Sequence, residues 1–286
     1  MFNPLSLISR SPHRRWFYAL LSVVVAMSVT VGSSYPSQAI SIGDIFRGGI
    51  QVIQGIQISN MSDEKEVEFG KQINNQLRRE VKISRNAELN KYIDQIGQRL
   101  AAQSDRPNIP YTFQVVTDNN INAFATVGGF VYINTGLMKA ADNESQLASV
   151  IGHEIGHISG KHVLKGIRKA SIEQGLASAA GMDRNTAVRL GVQVALRLPR
   201  SRNYEYEADQ TGLLALKGAG YAQSGMVGFF EKLLGKGRSA PTFLSSHPAT
   251  EDRIAAIKQS LDPGQASVGD GQDSAAYKAK VEQLLK

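Results

Sequence analysis

Cysteine is absent from all 286 residues, which excludes disulfides, thiolate metal sites and cysteine nucleophiles at once. Such a chain is held together by packing and by any metal it binds through nitrogen and oxygen. Histidine is scarce as well: there are five, and four of them, His153, His157, His162 and His247, lie beyond residue 39. Beyond that point no apolar run is long enough to span a bilayer. The net charge is +7, yet the basic residues are scattered among acids rather than clustered with aromatics, so nucleic acid is excluded as a partner. No repeat of solenoid period is present.

What is there fits one folded domain, with 42% apolar and 20% charged residues. Residues 1–39 read separately. Arg10, Arg14 and Arg15 precede an uncharged run over 16–32, and Ser37-Gln38-Ala39 offers small residues at a cut, the pattern of a secretory signal peptide. An uncleaved N-terminal anchor is the alternative. Removing the three arginines with the segment leaves +4. The expected location is periplasmic or otherwise extracytoplasmic, soluble or membrane-associated. Residues 40–61 space Ile42, Ile45, Ile50, Ile53 and Ile56 at helical intervals. They form an N-terminal arm that either packs on the domain or makes a peripheral membrane contact.

Farther on, Ser62 opens a helix, a second follows near 86–103, and 112–116 is a short β-rich run. Runs at 124–127 and 130–133 flank Gly128-Gly129, a hairpin signal. Asp142 or Asn143 caps a helix to about Lys165, with Asn143 and Gln146 at capping-box spacing. Small residues over 166–198 suit one or two closely packed helices that Pro199 ends. Further helices are expected over 201–217, 224–235 and 250–260, with a loop holding Pro241 and Pro248 between the last two. The expected class is α+β, mostly helical, with a small mixed sheet before the helix that carries the chemistry.

Between Ser145 and Gly160 the only formal charge is Glu154, set among Leu147, Val150, Ile151, Ile155 and Ile158. That helix is expected to be buried, and a buried carboxylate without a partner is costly. His153 and His157 supply a reason for it. Residues four apart on a helix lie about 40° apart around the axis and about 6 Å along it, so two imidazoles reach one ion. With five histidines and thirteen glutamates, chance would give this spacing in roughly 0.4% of such chains. A catalytic zinc needs a third protein ligand and an open position. Ten residues after His153 stands Val163 rather than histidine, which points instead to a carboxylate on a following helix. Glu205 and Asp209, four apart, let one face offer Glu205 to the metal and Asp209 to the second N–H of a ligand imidazole.

His153-Glu154-Ile155-Gly156-His157, Ser201-Arg202 with Glu205 and Asp209, and Ser246-His247-Pro248 with Arg253 together resemble the CAAX prenyl endopeptidase and heat-shock membrane protease family of gluzincins. In style they are closest to its soluble exported members, such as the β-barrel assembly-enhancing proteases. The resemblance runs from about Ser62 to Ser260. It implies a zincin-like metalloprotease domain over 62–262, followed by a polar tail with a short helix over 263–286. It also implies one Zn²⁺ per chain on His153, His157 and Glu205, Glu154 as catalytic base and Asp209 as support for His153. By the same resemblance His247 lies over the metal, steadying the oxyanion or closing the open position, and Arg253 sits nearby to help bind substrate. Asn122, Ala123 and Phe124 correspond to an edge strand that takes extended substrate by backbone pairing, and His162 makes a structural hydrogen bond. Two departures stand out, since neither membrane-spanning helices nor a helical repeat domain is seen.

The function expected is zinc-dependent endoproteolysis of unfolded or misassembled envelope polypeptides, a quality-control task. The alternative is a zinc-bound chaperone or scaffold whose metal site His247 closes. An unliganded carboxylate such as Glu154 has no use in a purely structural site.

Overall fold

Three long helices of the domain start on a side chain that accepts from their own first turn. Ser62 accepts from the Lys65 N–H at the head of α1 (Asp63–Glu80), and Asn86 accepts from Leu89 at the head of α2 (Ala87–Ala101). Asn143 accepts from Gln146 at the head of α4 (Glu144–Ser159). There the Gln146 side chain returns to the N–H of Asp142 rather than of Asn143, so the reciprocal half of the capping box reaches one residue farther back. The computed structural model describes residues 61–175, 182–197, 200–235, 241–248 and 251–286. The signal or anchor segment 1–39, the isoleucines of the arm and Pro199 fall outside them. The described residues all belong to one compact unit, Ile53–Lys286.

Three strands, β1 (Thr112–Val116), β2 (Ala123–Ala125) and β3 (Phe130–Asn134), form the expected mixed sheet in the order β1-β3-β2. β1 runs parallel to β3 and β2 antiparallel to it. The hairpin between β2 and β3 is wider than a two-residue turn. Ala125 pairs with Val131, the Thr126 N–H donates to the Phe130 carbonyl, and Val127–Gly129 form one 3-10 turn. Gly128 and Gly129 have φ of 75° and 95°. A side chain at Gly128 would stand 2.7 Å from the Glu66 carbonyl oxygen, so its missing Cβ lets α1 lie against the turn.

Side chains alternate across the sheet and divide the core in two. Phe113, Val115, Ala123, Ala125, Val131 and Ile133 face a large cluster with α2, α4, α7 (Arg202–Gly218), α8 (Ser224–Leu234) and α10 (Glu251–Ser260). Val116, Phe124, Phe130 and Tyr132 face a smaller one with α1, α5 (His162–Glu173) and α6 (Arg184–Arg197). Two short helices, α3 (Thr135–Ala140) and α9 (Thr242–Ser246), also form, the second within the stretch expected to be a loop holding Pro241 and Pro248. No helix among the described residues is long and apolar enough to cross a membrane.

The helix expected to run to Lys165 is two helices. α4 stops at Gly160, and Lys161 takes φ 52° before α5 begins at His162. A non-glycine residue in the left-handed region must be held there. Lys161 Nζ is 3.0 Å from Asp63 and 3.1 Å from the buried Glu66. Arg106 grips the same Glu66 with two hydrogen bonds and donates to the Ile158 carbonyl at the end of α4.

The segment 263–286 is built into the domain. The Gly271 carbonyl accepts from the Ser145 N–H in the first turn of α4, satisfying one of the donors a helix start leaves open. Tyr277 and Val281 of α11 (Ser274–Leu284) join the large core cluster, and the Tyr277 hydroxyl donates to the Met138 carbonyl.

Candidate metal centre

The two helices that carry the site touch backbone to backbone. A Cβ on Gly156 of α4 would stand 2.6 Å from the Ala208 carbonyl oxygen of α7, and one on Gly212 would stand 3.0 Å from the His153 nitrogen. Only residues this small at the seam let Glu205 reach His153 and His157. The Nε2 atoms of the two histidines are 3.1 Å apart, and Glu205 places Oε2 3.5 Å from His153 and Oε1 3.4 Å from His157. Four ligand atoms, from His153, His157, Glu205 and His247, lie within 4.8 Å of one another, all buried.

The outer nitrogens of the two imidazoles are occupied. His153 Nδ1 is 2.9 Å from Asp209 Oδ1, and a carboxylate there requires a proton on Nδ1, which leaves Nε2 as the nitrogen whose lone pair a metal can take in place of a proton. His157 Nδ1 is 2.8 Å from His162 Nδ1, and His162 Nε2 is 3.2 Å from Glu207. With His157 as donor, its Nε2 is available in the same way. Two lone pairs and a carboxylate then converge on one point, an arrangement only a cation relieves. A tetrahedral zinc with ligands at about 2.0–2.1 Å has ligand–ligand edges of about 3.3–3.4 Å; here the two Nε2 atoms are 3.1 Å apart and each lies 3.4–3.5 Å from a different Glu205 oxygen, a cluster of the size such an ion needs.

Electrostatics favour positive charge at that point. Burial pulls the His153 pKa down, but hydrogen bonds to Asp209 and then Glu205 outweigh it and hold it at about 9. Burial pushes Glu205 up, yet His247, His153 and His157 overcome it and leave the carboxyl well below the usual range. His157 is driven far below the ordinary imidazole value by burial and then by Arg200, as is His247. Glu154 is raised, burial outweighing Arg200 and His153. Neither of its oxygens has a hydrogen-bond partner among the described residues, and His247 Nε2 lies 3.3 Å from Oε1.

His247 follows α9, with its ring stacked on Phe243 at 4.4 Å and its Nδ1 3.0 Å from the Ser246 hydroxyl. Arg253, expected beside substrate, is instead turned inward and 1% exposed. It donates to both oxygens of Asp209 and to the Pro248 carbonyl, and its Nη1 is 2.7 Å from Glu205 Oε2. Its geometry is that of a residue that fixes the two acids.

β2 is an edge strand. Thr126 donates to Phe130 and Asn134 donates to Asn122, so the N–H and C=O groups of Ala123 and Ala125 point away from β3, as alternation requires. The Phe124 side chain stacks on Tyr132 at 4.6 Å inside the smaller core, and the same alternation turns its N–H and C=O toward β3, so of the three residues assigned to substrate Ala123 is the one whose backbone groups face outward.

The structural hydrogen bond expected of His162 is made to His157, five residues back and more than a helical turn away, because the chain breaks at Lys161. Arg200, whose charge opposes burial at Glu154 and adds to it at His157 and His247, escaped the sequence because it carried no motif. A marker for it exists only in its position one residue before the Ser201 cap of α7.

A model of peptidase family M48 matches residues 87–261. A putative beta-barrel assembly-enhancing protease of Vibrio cholerae is 33% identical over 213 residues, 68% of this chain and 44% of its own length. The beta-barrel assembly-enhancing protease of Escherichia coli is 32% identical over 214 residues, 69% of this chain and again 44% of its own length. The mitochondrial metalloendopeptidase OMA1 of Arabidopsis thaliana is 36% identical over 165 residues, 56% of this chain and 33% of its own. The chain thus spans less than half the length of these relatives.

Proposed function

The chain belongs to peptidase family M48, and we propose that it is a zinc-dependent endopeptidase whose single metal is held by His153, His157 and Glu205. The observation that carries this is the buried convergence of one ligand atom each from His153, His157, Glu205 and His247, all within 4.8 Å of one another. Zinc bound there supplies Lewis acidity and lowers the pKa of water. Glu154, with two unengaged oxygens, takes the proton of the attacking water as the water oxygen bonds to the peptide carbonyl carbon. It then passes that proton to the amide nitrogen as the C–N bond breaks. Asp209 keeps His153 in the tautomer that presents Nε2, and Arg253 holds Asp209 and Glu205 in place.

Extended polypeptide enters along Asn122, Ala123 and Phe124 by backbone pairing with the outward groups of β2. Such recognition ignores side chains and suits unfolded chains. With residues 1–39 as an export signal or anchor, the substrates are unfolded or misassembled envelope proteins, and the names of two relatives tie those proteins to beta-barrel assembly.

A second reading, a zinc-bound scaffold closed by His247, is favoured by one observation, the place of His247 among the four clustered ligands. One experiment separates the two. Metal-free protein titrated with zinc should take up one ion per chain and cleave unfolded casein, chelation should stop it, and His247→Ala should be faster. Zinc uptake without cleavage in both proteins would leave the scaffold.

Support from the second sphere is measurable apart from activity. Asp209→Asn should weaken zinc binding about 10–100-fold, read by competition with a chromophoric chelator. Unchanged affinity would remove Asp209 from that role.

A further inference from the structure

Arg200 stands where the chain enters α7, and its backbone N–H donates to the Ser246 carbonyl at 3.1 Å, tying it to the neighbour of His247. Both terminal nitrogens of its guanidinium are buried and have no hydrogen-bond partner among the described residues. Arg253, by contrast, is fixed on Asp209 and Glu205. A guanidinium taken out of water without acceptors is costly, so a group that meets it only during function accounts for its being there.

Its charge reaches the centre. It opposes the burial of Glu154, and it adds to burial in depressing His157 and His247. Glu205 is governed, after burial, by histidines instead. The bond to the Ser246 carbonyl sets the backbone of Arg200 against the residue before His247, and Arg253 is engaged instead by Asp209, Glu205 and the Pro248 carbonyl.

Resting on the endopeptidase reading, we propose that Arg200 is a catalytic residue that donates its terminal N–H groups to the scissile carbonyl oxygen as that oxygen becomes an oxyanion. When the water oxygen bonds to the carbonyl carbon, the π pair moves onto the carbonyl oxygen. Arg200 keeps its protons and forms no covalent bond. When the C–N bond breaks, the pair returns and the proton held by Glu154 leaves with the amine. A cation in a site closed to water attracts a full negative charge far more than a neutral carbonyl, so Arg200 acts on the transition state more than on the bound substrate.

The test uses full-length zinc-loaded wild type, Arg200→Met and Arg200→Lys, with a peptide substrate and a phosphinic peptide that mimics the tetrahedral anion. Arg200→Met should bind one zinc with unchanged affinity, lose about 10²-fold in kcat and hold KM within about threefold. Its affinity for the phosphinic peptide should fall with kcat, while Glu154→Gln proteins with and without Arg200→Met bind the substrate peptide alike. Arg200→Lys should recover part of the loss. A kcat within about threefold of wild type overturns the proposal, as does a loss confined to KM for peptides with Asp or Glu beside the scissile bond. If wild type cleaves nothing, the endopeptidase reading fails by itself. The inference is then judged by phosphinic-peptide binding alone, and binding indifferent to Arg200 overturns it.

Discussion

Glu154→Gln should retain one zinc per chain and lose about 10²–10⁴-fold in casein cleavage, while the metal-free variant melts no lower than wild type. The two arms follow from one fact: Glu154 is fully buried and both its oxygens are unpartnered among the described residues. Glutamine has the same shape but accepts no proton, so the water loses its base while His153, His157 and Glu205 stay in place. Stability moves the other way. Burial holds the Glu154 carboxyl above its ordinary value. A folded pKa above the unfolded one means that the folded state binds more protons. Glu154 therefore weakens the fold as pH rises from the ordinary carboxylate range through its raised value. A neutral amide removes that effect. The checks are metal analysis, casein turnover and calorimetry of chelated protein. A purified variant keeping more than about a tenth of wild-type turnover would strip Glu154 of the base role.

The parts of this fold that could be read from the chain are those set by short-range rules. Ser62, Asn86, Asn143 and Ser201 cap helices through a side chain three residues from its partner. Four-residue spacing brings His153 to His157 and Glu205 to Asp209 with no knowledge of tertiary structure. What was illegible depends on distant groups. Lys161 breaks a helix because Asp63 and Glu66, nearly a hundred residues earlier, hold its ammonium. The parallel pairing of β1 with β3 has no local signature. Arg253 was placed near the metal but against substrate, since a sequence does not show that Asp209 and Glu205 meet it first. The helix of the C-terminal segment was expected, whereas its seat in the core, through Tyr277 on Met138, was not.

The seam between α4 and α7 shows how packing sets the chemistry, and Gly156 tests it. By helix propensity alone, Gly156→Ala should stabilise α4 by about 1 kcal/mol. The new Cβ, however, would stand 2.6 Å from the oxygen and 2.8 Å from the Cα of Ala208. Both are backbone atoms, so no side chain can turn aside and the helices must part. Ala208 sits between Glu205 and Asp209 on α7, and parting moves both acids from His153 and His157, whose spacing to Glu205 is 3.4–3.5 Å. Gly156→Val deepens the clash. Overpacking of about 3 kcal/mol in a domain of this size lowers Tm by about 6–12 °C, and zinc uptake at micromolar concentration should be lost. Gly152 is the internal control, since a Cβ there meets the Gly212 oxygen at 3.3 Å, a distance that small shifts relieve, so Gly152→Ala should keep zinc binding. Calorimetry and zinc titration of the three variants decide the matter. A Gly156→Ala protein that melts higher than wild type and binds zinc as tightly would mean that the seam is loose and that Glu205 reaches the metal for some other reason.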